Sequence, residues 1–274
     1  MILDKCAAII DLEGKLLSEK FRDISYKVED RVARITINRP PLNVLSVNTI
    51  GEIIAALKIA NVDKNVIVVT IAGGGERAFS AGVDIGAHLP KKIDKTLDKF
   101  HKMFQLLTDL EKPTIAVVNG LAFGGGCELA MACDMVVASE NAQFGQPEIK
   151  VGAIATVAAA LLPKLVGRKH ALELIFTGET ITATEAKQIG LVNSVVPAER
   201  LAEAVDDLVL KLKNLSPVVL KMVKKAVYQG IDSDFREALA GVTDVYLKQL
   251  IHTKDAVEGL KAFLEKRKPE WRGK

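Results

Sequence analysis

Apolar and polar residues alternate over residues 24–29 and 32–38, on either side of Asp30-Arg31, and a period of two flanking a polar pair predicts a β-hairpin. Pro40-Pro41 stops the second strand. Ser46 then stands before Val47, Ile50, Ile54 and Leu57 at helical spacing, which predicts a capped helix running to about Ala60. Val66 to Ile71 is a continuous apolar run closed by three glycines, the pattern of a strand covered on both faces. The alternation continues with a helix marked by Leu97, Phe100, Phe104 and Leu107, a buried strand at Thr114–Val118, and a short helix at Glu128–Ala132. Strands are predicted at Met135–Ala138 and Leu191–Val196. After these, residues 199–213, 217–229, 234–250 and 254–266 all carry helical periodicity. The expected architecture is an α/β core over residues 21–197 and an all-helical region over 198–274 suited to assembly. Residues 1–20 form an N-terminal extension, and no repeat of fixed period is present.

Composition narrows the function classes. At 274 residues the chain can bury one large core. It is 49% hydrophobic and 26% charged, which separates it from disordered chains. The net charge of +3 is spread over mixed signs, too weak a field to predict a nucleic-acid partner. Lys221, Lys224, Lys225 and the Lys266-Arg267-Lys268 run read as solvated helix faces. Cys6, Cys127 and Cys133 are widely spaced and odd in number, poor material for disulfides and without metal spacing, so a reducing cytoplasm is the expectation. The apolar stretch Cys6–Ile10 is bracketed too closely by Asp4, Lys5, Asp11 and Glu13 to read as a signal peptide. No stretch is apolar for long enough to predict a membrane span.

The chemistry-bearing segment is Asn119–Ala130, where Gly124, Gly125 and Gly126 lie between a buried strand and a helix. Unpaired N–H groups at a helix start could receive an oxyanion through main chain alone. A phosphate loop is the weaker reading, because neither GxxxxGK[ST] nor a well-placed GxGxxG is present. Glu128 follows in the first helical turn, where the helix dipole should favour its anion. Glu148 stands twenty residues on, in a constrained loop, Phe144-Gly145-Gln146-Pro147-Glu148. A further loop, Ala78–Asp84, also follows a buried strand, so two loops at one end of a parallel sheet could each offer an N–H to one oxygen.

The segment Glu111–Glu148, containing NGLAFGGGCELAMACDMVVASENAQFGQPE, closely resembles the signature of the enoyl-CoA hydratase/isomerase (crotonase) superfamily. AFSAGVDI at Ala78–Ile85 resembles that family's upstream loop, and the order of elements fits from about Ile24 to Trp271. The resemblance implies a ββα spiral core with a C-terminal helical assembly region, and a homotrimer or homohexamer. It implies an acyl-CoA thioester as partner, with coenzyme A entering as part of the substrate and no separate cofactor or metal. The thioester oxygen would be held by the N–H groups of Val83 and Gly125. Glu128 would polarise the attacking water and Glu148 would deliver the proton to the α carbon. Ala81, Ala153, Phe263 and Lys266 would contact substrate or coenzyme, the last two often across a subunit boundary. The expected function is that of a hydro-lyase adding water to an α,β-unsaturated acyl-CoA.

One departure bears on the acyl group. After Glu148 the family's usual glycine-rich series is replaced by Val151-Gly152-Ala153-Ile154-Ala155-Thr156-Val157-Ala158-Ala159-Ala160-Leu161-Leu162, an apolar wall implying an altered acyl pocket. Together with Arg39–Leu45 it resembles hydratases of cyclic dienoyl-CoA thioesters. Alternatives are double-bond isomerisation or ring-opening hydrolysis on the same fold, and a non-catalytic scaffold. Other tempting residues have plainer readings. Cys127 reads as a packed side chain, Asp84 and Asp134 as turn braces, and Ser80 lacks the turn and base of a serine nucleophile. His88, His101, His170 and His252 show no metal pattern.

Overall fold

The computed structural model describes residues 21–274; the extension read at 1–20, with Cys6, lies outside them. The chain winds through successive strand-strand-helix units. The hairpin β1 (Ile24–Glu29) and β2 (Val32–Ile37) is followed by helix α1 (Val47–Val62), then β3 (Val68–Gly73), β4 (Ala78–Ser80) and α2 (Ile93–Asp109). The third unit is β5 (Thr114–Val118), β6 (Leu121–Phe123) and α3 (Gly125–Met131). The fourth is β7 (Met135–Ser139), β8 (Gln143–Gly145), a short 3₁₀ turn at Pro147–Val151 and α4 (Thr156–Thr177). β9 (Thr180–Thr182), α5 (Ala183–Gln188) and β10 (Ser194–Val196) close the core.

Two sheets result. One has six strands in the order β1-β2-β3-β5-β7-β10, and the other four in the order β4-β6-β8-β9. From β2 onward the larger sheet is parallel, which accounts for its continuous apolar strands: both faces are covered. Alternation along each strand divides its side chains between two layers. Val69 and Ile71 of β3, Ala116 and Val118 of β5, and Val136 and Ala138 of β7 enter the main core with α1 to α4. Val32, Val68, Ile115 and Val137 point the other way, beneath Leu201, Val205 and Val209 of α6 (Leu201–Lys213). The remaining helices are α7 (Pro217–Gly230), α8 (Phe235–Val245, prolonged by a π turn at Tyr246–Leu250) and α9 (Lys254–Leu264).

Several expectations need correction. The three-residue strands β4, β6, β8 and β9 escape a reading based on hydrophobic runs. The strand expected at Leu191–Val196 is paired only over Ser194–Val196, and the run at Val66–Ile71 yields a strand shifted to Val68–Gly73. α3 begins at Gly125, three residues before the predicted start, so Gly125 and Gly126 lie inside the helix. Their poor helix propensity is overridden by close packing: a Cβ on Gly126 would sit 2.2 Å from the Ser80 carbonyl oxygen. Ser46 caps α1 as expected, its side chain accepting from the Thr49 N–H while Thr49 returns a bond to the Ser46 backbone.

Lys224 departs furthest from its expected solvated face. It is buried and donates to the carbonyls of Leu107 and Lys112 and, at 2.8 Å, to Asp134. Asp134 also accepts from the Thr114 N–H at 2.7 Å, the Thr114 hydroxyl and the Tyr228 hydroxyl. A buried ion pair is costly to break because the surviving charge is left uncompensated. Asp134→Ala is therefore expected to lower stability by roughly 3–5 kcal/mol, measured as the shift in the urea unfolding midpoint; a change below about 1 kcal/mol would show that the pair acts like a surface bridge.

Candidate active site

The site is built where strands of the two sheets hand over to helices. Residues 42–45 run beside 81–84. Ala81 N–H donates to the Leu42 carbonyl, Leu45 N–H to that of Gly82 at 2.8 Å, and Asp84 N–H to that of Leu45 at 3.2 Å. The Gly82 carbonyl and the Asp84 N–H both face Leu45, so Val83, lying between them in this parallel bridge, turns its own N–H to the opposite edge. Buried Asn43 holds the loop from behind, its side-chain amide donating to the carbonyls of Gly74 and Ala78. The Ser80 hydroxyl is enclosed and accepts from the Gly82 N–H, and Asp84 braces its turn by accepting from Gly86 N–H.

Facing this loop is the start of α3. Gly124 has φ 50° and ψ −126°, a conformation open essentially to glycine alone. The first helical hydrogen bond runs from Glu128 N–H to the Gly124 carbonyl, so the N–H of Gly125 has no partner within the helix. Gly125 is packed tightly: a Cβ there would lie 2.8 Å from Val83 Cγ2 and 3.0 Å from the Phe100 ring. Among the described residues, the N–H groups of Val83 and Gly125 are not taken by other backbone groups. They adjoin one cavity of about 470 Å³, which Glu128 and Glu148 also line.

Glu128 is only 2% exposed, and its Oε1 accepts the N–H of Ala158 at 2.7 Å. Ala155, at the N-cap of α4, has no side chain able to cap, so a carboxylate from α3 satisfies the first turn of α4. Burial pushes the Glu128 carboxyl up to about 7, the neighbouring Glu148 charge adds to this, and the N–H groups of Ala158 and Val157 oppose it. The helix-dipole expectation of a stable anion thus yields to desolvation. Glu148 sits on the 3₁₀ turn, not in an irregular loop. Burial raises its carboxyl as well, and its Oε2 has no hydrogen-bond partner among the described residues. Cys127 is buried and its thiol is pushed up to about 12, which fits a packed side chain.

Of the residues singled out in the sequence, Ala81, Val83, Gly125, Glu128, Glu148 and Ala153 line the same cavity. Phe263 and Lys266 do not; they lie at the end of α9, where Phe263 is 83% exposed. The apolar wall is divided as well. Residues 151–156 line the cavity, whereas 157–162 become the opening turns of α4, with Ala158 and Leu162 buried in the core. Ile85, Leu89, Leu97 and Phe100 complete an apolar lining that sequence reasoning missed, together with the partly buried His88. The helical spacing of Leu97 and Phe100 marks their face of α2 but carries no sign of what it faces.

Two free amides and two shielded carboxylates around one largely apolar chamber define a site that can hold an oxyanion and move protons beside it. Comparisons with known proteins agree with that class. The family model for enoyl-CoA hydratase/isomerase matches residues 27–274. The chain is 39% identical over 259 residues to a short-chain-enoyl-CoA hydratase of Clostridium acetobutylicum, covering 92% of this chain and 98% of that one. It is 38% identical over 254 residues to a crotonyl-CoA hydratase of Syntrophomonas wolfei, covering 90% and 97%. A solved enoyl-CoA hydratase from Bacillus anthracis superposes with a TM-score of 0.88 at 35% identity, covering 92% of this chain and all of the other. The chain belongs to the enoyl-CoA hydratase/isomerase family.

The buried carboxylate makes a stability prediction. An acid whose folded-state pKa lies above its unfolded value of 4.5 costs nothing when protonated in both states. Stability falls as pH rises from 4.5 towards about 7, and above that the full cost, on the order of 3 kcal/mol, is present. Glu128→Gln keeps an oxygen for the Ala158 N–H without the charge. It is expected to unfold at higher urea than the parent at pH 8 and at nearly the same concentration at pH 4.5; equal midpoints at both values would refute the assignment. Gly124→Ala combines strain of about 1–3 kcal/mol with a Cβ placed 2.5 Å from Glu148 Oε1. Lower stability together with displaced Glu148 is expected, read by urea unfolding and a crystal structure of the variant.

Proposed function

We propose that this chain is an enzyme catalysing reversible addition of water to an α,β-unsaturated acyl-CoA. The observation that carries the reading is the enclosure of Glu128 and Glu148 in one chamber with the free amides of Val83 and Gly125. The thioester oxygen accepts hydrogen bonds from the two amides. Ionised Glu128 removes a proton from water, and the oxygen of that water forms its bond to the β carbon. The π electrons shift to the carbonyl oxygen as an enolate, and protonated Glu148 gives its proton to the α carbon. Hydrogen bonds that strengthen as the oxyanion forms act on the transition state more than on the bound substrate. Glu128, raised to about 7, is poised between base and conjugate acid near neutral pH.

The reaction as read uses no metal or redox cofactor; coenzyme A arrives with the substrate. For the acyl group, the finer reading is a cyclic diene, supported by the apolar wall of Val151 and Ile154 and the lining of Ile85, Leu89 and Phe100. The reading extends to a trimer or a dimer of trimers. Its support is the exposed apolar residues Val223, Val227, Phe235 and Leu239 of α7 and α8, and the position of Phe263 and Lys266 outside their own chain's chamber. A cytoplasmic location belongs to the same proposal. Among the described residues no helix is long and apolar enough to cross a membrane.

The test is to follow hydration of crotonyl-CoA and of cyclohexa-1,5-diene-1-carbonyl-CoA by ultraviolet absorbance, side by side. Glu128→Gln and Glu148→Gln are each expected to lower kcat by about 10²–10⁴-fold. Preference for the ring substrate supports the finer reading, and preference for crotonyl-CoA removes it while leaving hydration intact. Full activity in both variants would sink the two-glutamate mechanism, and a shifted double bond without water uptake would assign isomerisation instead.

A further inference from the structure

Glu128 reaches its position by lending its carboxylate to a helix that starts elsewhere in the chain. α4 has no capping side chain of its own, and the Glu128 carboxylate takes the Ala158 N–H of its first turn. Where α4 begins therefore decides where that carboxylate rests. One side-chain hydrogen bond ties the first residue of α4 to another element: Thr156 Oγ1 and His101 Nε2 lie 2.9 Å apart, with the donor set by the imidazole tautomer. His101 belongs to α2, next to Phe100, whose ring lies against Gly125. One turn of α2 thus touches both the amide side of the chamber, through Phe100, and the carboxylate side, through His101. Thr156 itself lines the chamber.

We propose that His101 and Thr156 form a positioning pair, fixing the first turn of α4 so that its N–H groups hold the Glu128 carboxylate in line with the two oxyanion-binding amides. This rests on the functional reading above for Glu128 and adds two residues to it. Neither residue is placed in bond-making. Their effect passes through the Val157 and Ala158 N–H groups, which stabilise the Glu128 anion against burial and the neighbouring Glu148 charge. Loosening the first turn weakens those bonds, so the Glu128 carboxyl rises further and the low-pH limb of activity moves to higher pH.

The experiment compares kcat, KM and the pH profile of the full-length parent with Thr156→Val, Thr156→Ser, His101→Ala and the Thr156→Val/His101→Ala double variant, on whichever enoyl-CoA is turned over. Thr156→Val and His101→Ala are each expected to lower kcat by roughly 10- to 100-fold, as small misplacements of reacting groups do. KM should change by less than about 2-fold and the low-pH limb should move upward. Thr156→Ser should behave as the parent. The double variant should be no worse than the more damaged single one, since both remove one interaction. Parent-like kcat and pH limb in Thr156→Val overturn the proposal, as does a loss of thermal stability with an unmoved limb, which assigns a merely structural bond. Should Thr156→Val fail to fold, His101→Ala carries the same readings. Infrared titration of the Glu128 carboxyl, assigned with Glu128→Gln, separates this inference from the functional one. If Glu128→Gln stays active, the functional reading fails, while the titration of Thr156→Val still decides whether the pair holds the carboxylate.

Discussion

The rest of the site depends on how one carboxylate is kept out of water. Glu128 is enclosed almost completely, and an enclosed anion needs partners that do not cancel it outright. An arginine beside it would lock the charge in place and hold the proton off at neutral pH. Backbone amides at the start of α4 do less: they partly offset desolvation and leave the group near its midpoint at pH 7. The relation is reciprocal, since α4 would otherwise begin with an uncapped N-terminus at the chamber wall. Helix start and buried carboxylate are a single structural fact.

The side of the chamber formed by the two free amides relies on a different economy of parts. It uses no charged group, only two amides whose directions are set by their neighbours. Val83 is aimed by the bridge between residues 42–45 and 81–84, which turns alternate N–H groups outward. Gly125 is aimed by the conformation of Gly124, and the absence of side chains at 124–126 lets Glu148, Phe100 and β4 close around the turn. The six-stranded sheet anchors the units from which both segments emerge. The small second sheet brings β4, β6 and β8 side by side, and with them the three loops that line the chamber.

Much of this was legible in the sequence where a residue's role depends on local pattern. In the larger sheet, β1 and β2 announced themselves by alternation and β3, β5 and β7 as apolar runs, α1 by Ser46 and its period, and the chamber's glycines and glutamates by their company in one segment. Features set by tertiary contact were not. Strands of three residues carry too few positions to show a period. Gly125 and Gly126 argue against a helix until Val83 and Phe100 close on the first and β4 on the second. Lys224 is one lysine of a cluster until Asp134, ninety residues away, receives it. The environment of Glu128 was misread for the same reason: the helix dipole is visible in sequence, whereas enclosure belongs to the folded molecule.

The layer formed by α6 has a consequence for the newly made chain. Val32, Ile67, Val68, Ile115 and Val137 present one apolar face of the larger sheet, and Leu201, Val205 and Val209 cover it. The first hairpin is tied to the same helix by Arg34 with Asp206 and by Asp30 with Lys213. Strands synthesised early must therefore wait for residues that leave the ribosome late, across contacts separated by 172 and 183 positions. During that interval the sheet is greasy on one side and open to other chains. A truncation between Thr156 and α6 leaves a nascent protein that has its chamber residues and lacks the helix that covers the apolar face of its sheet.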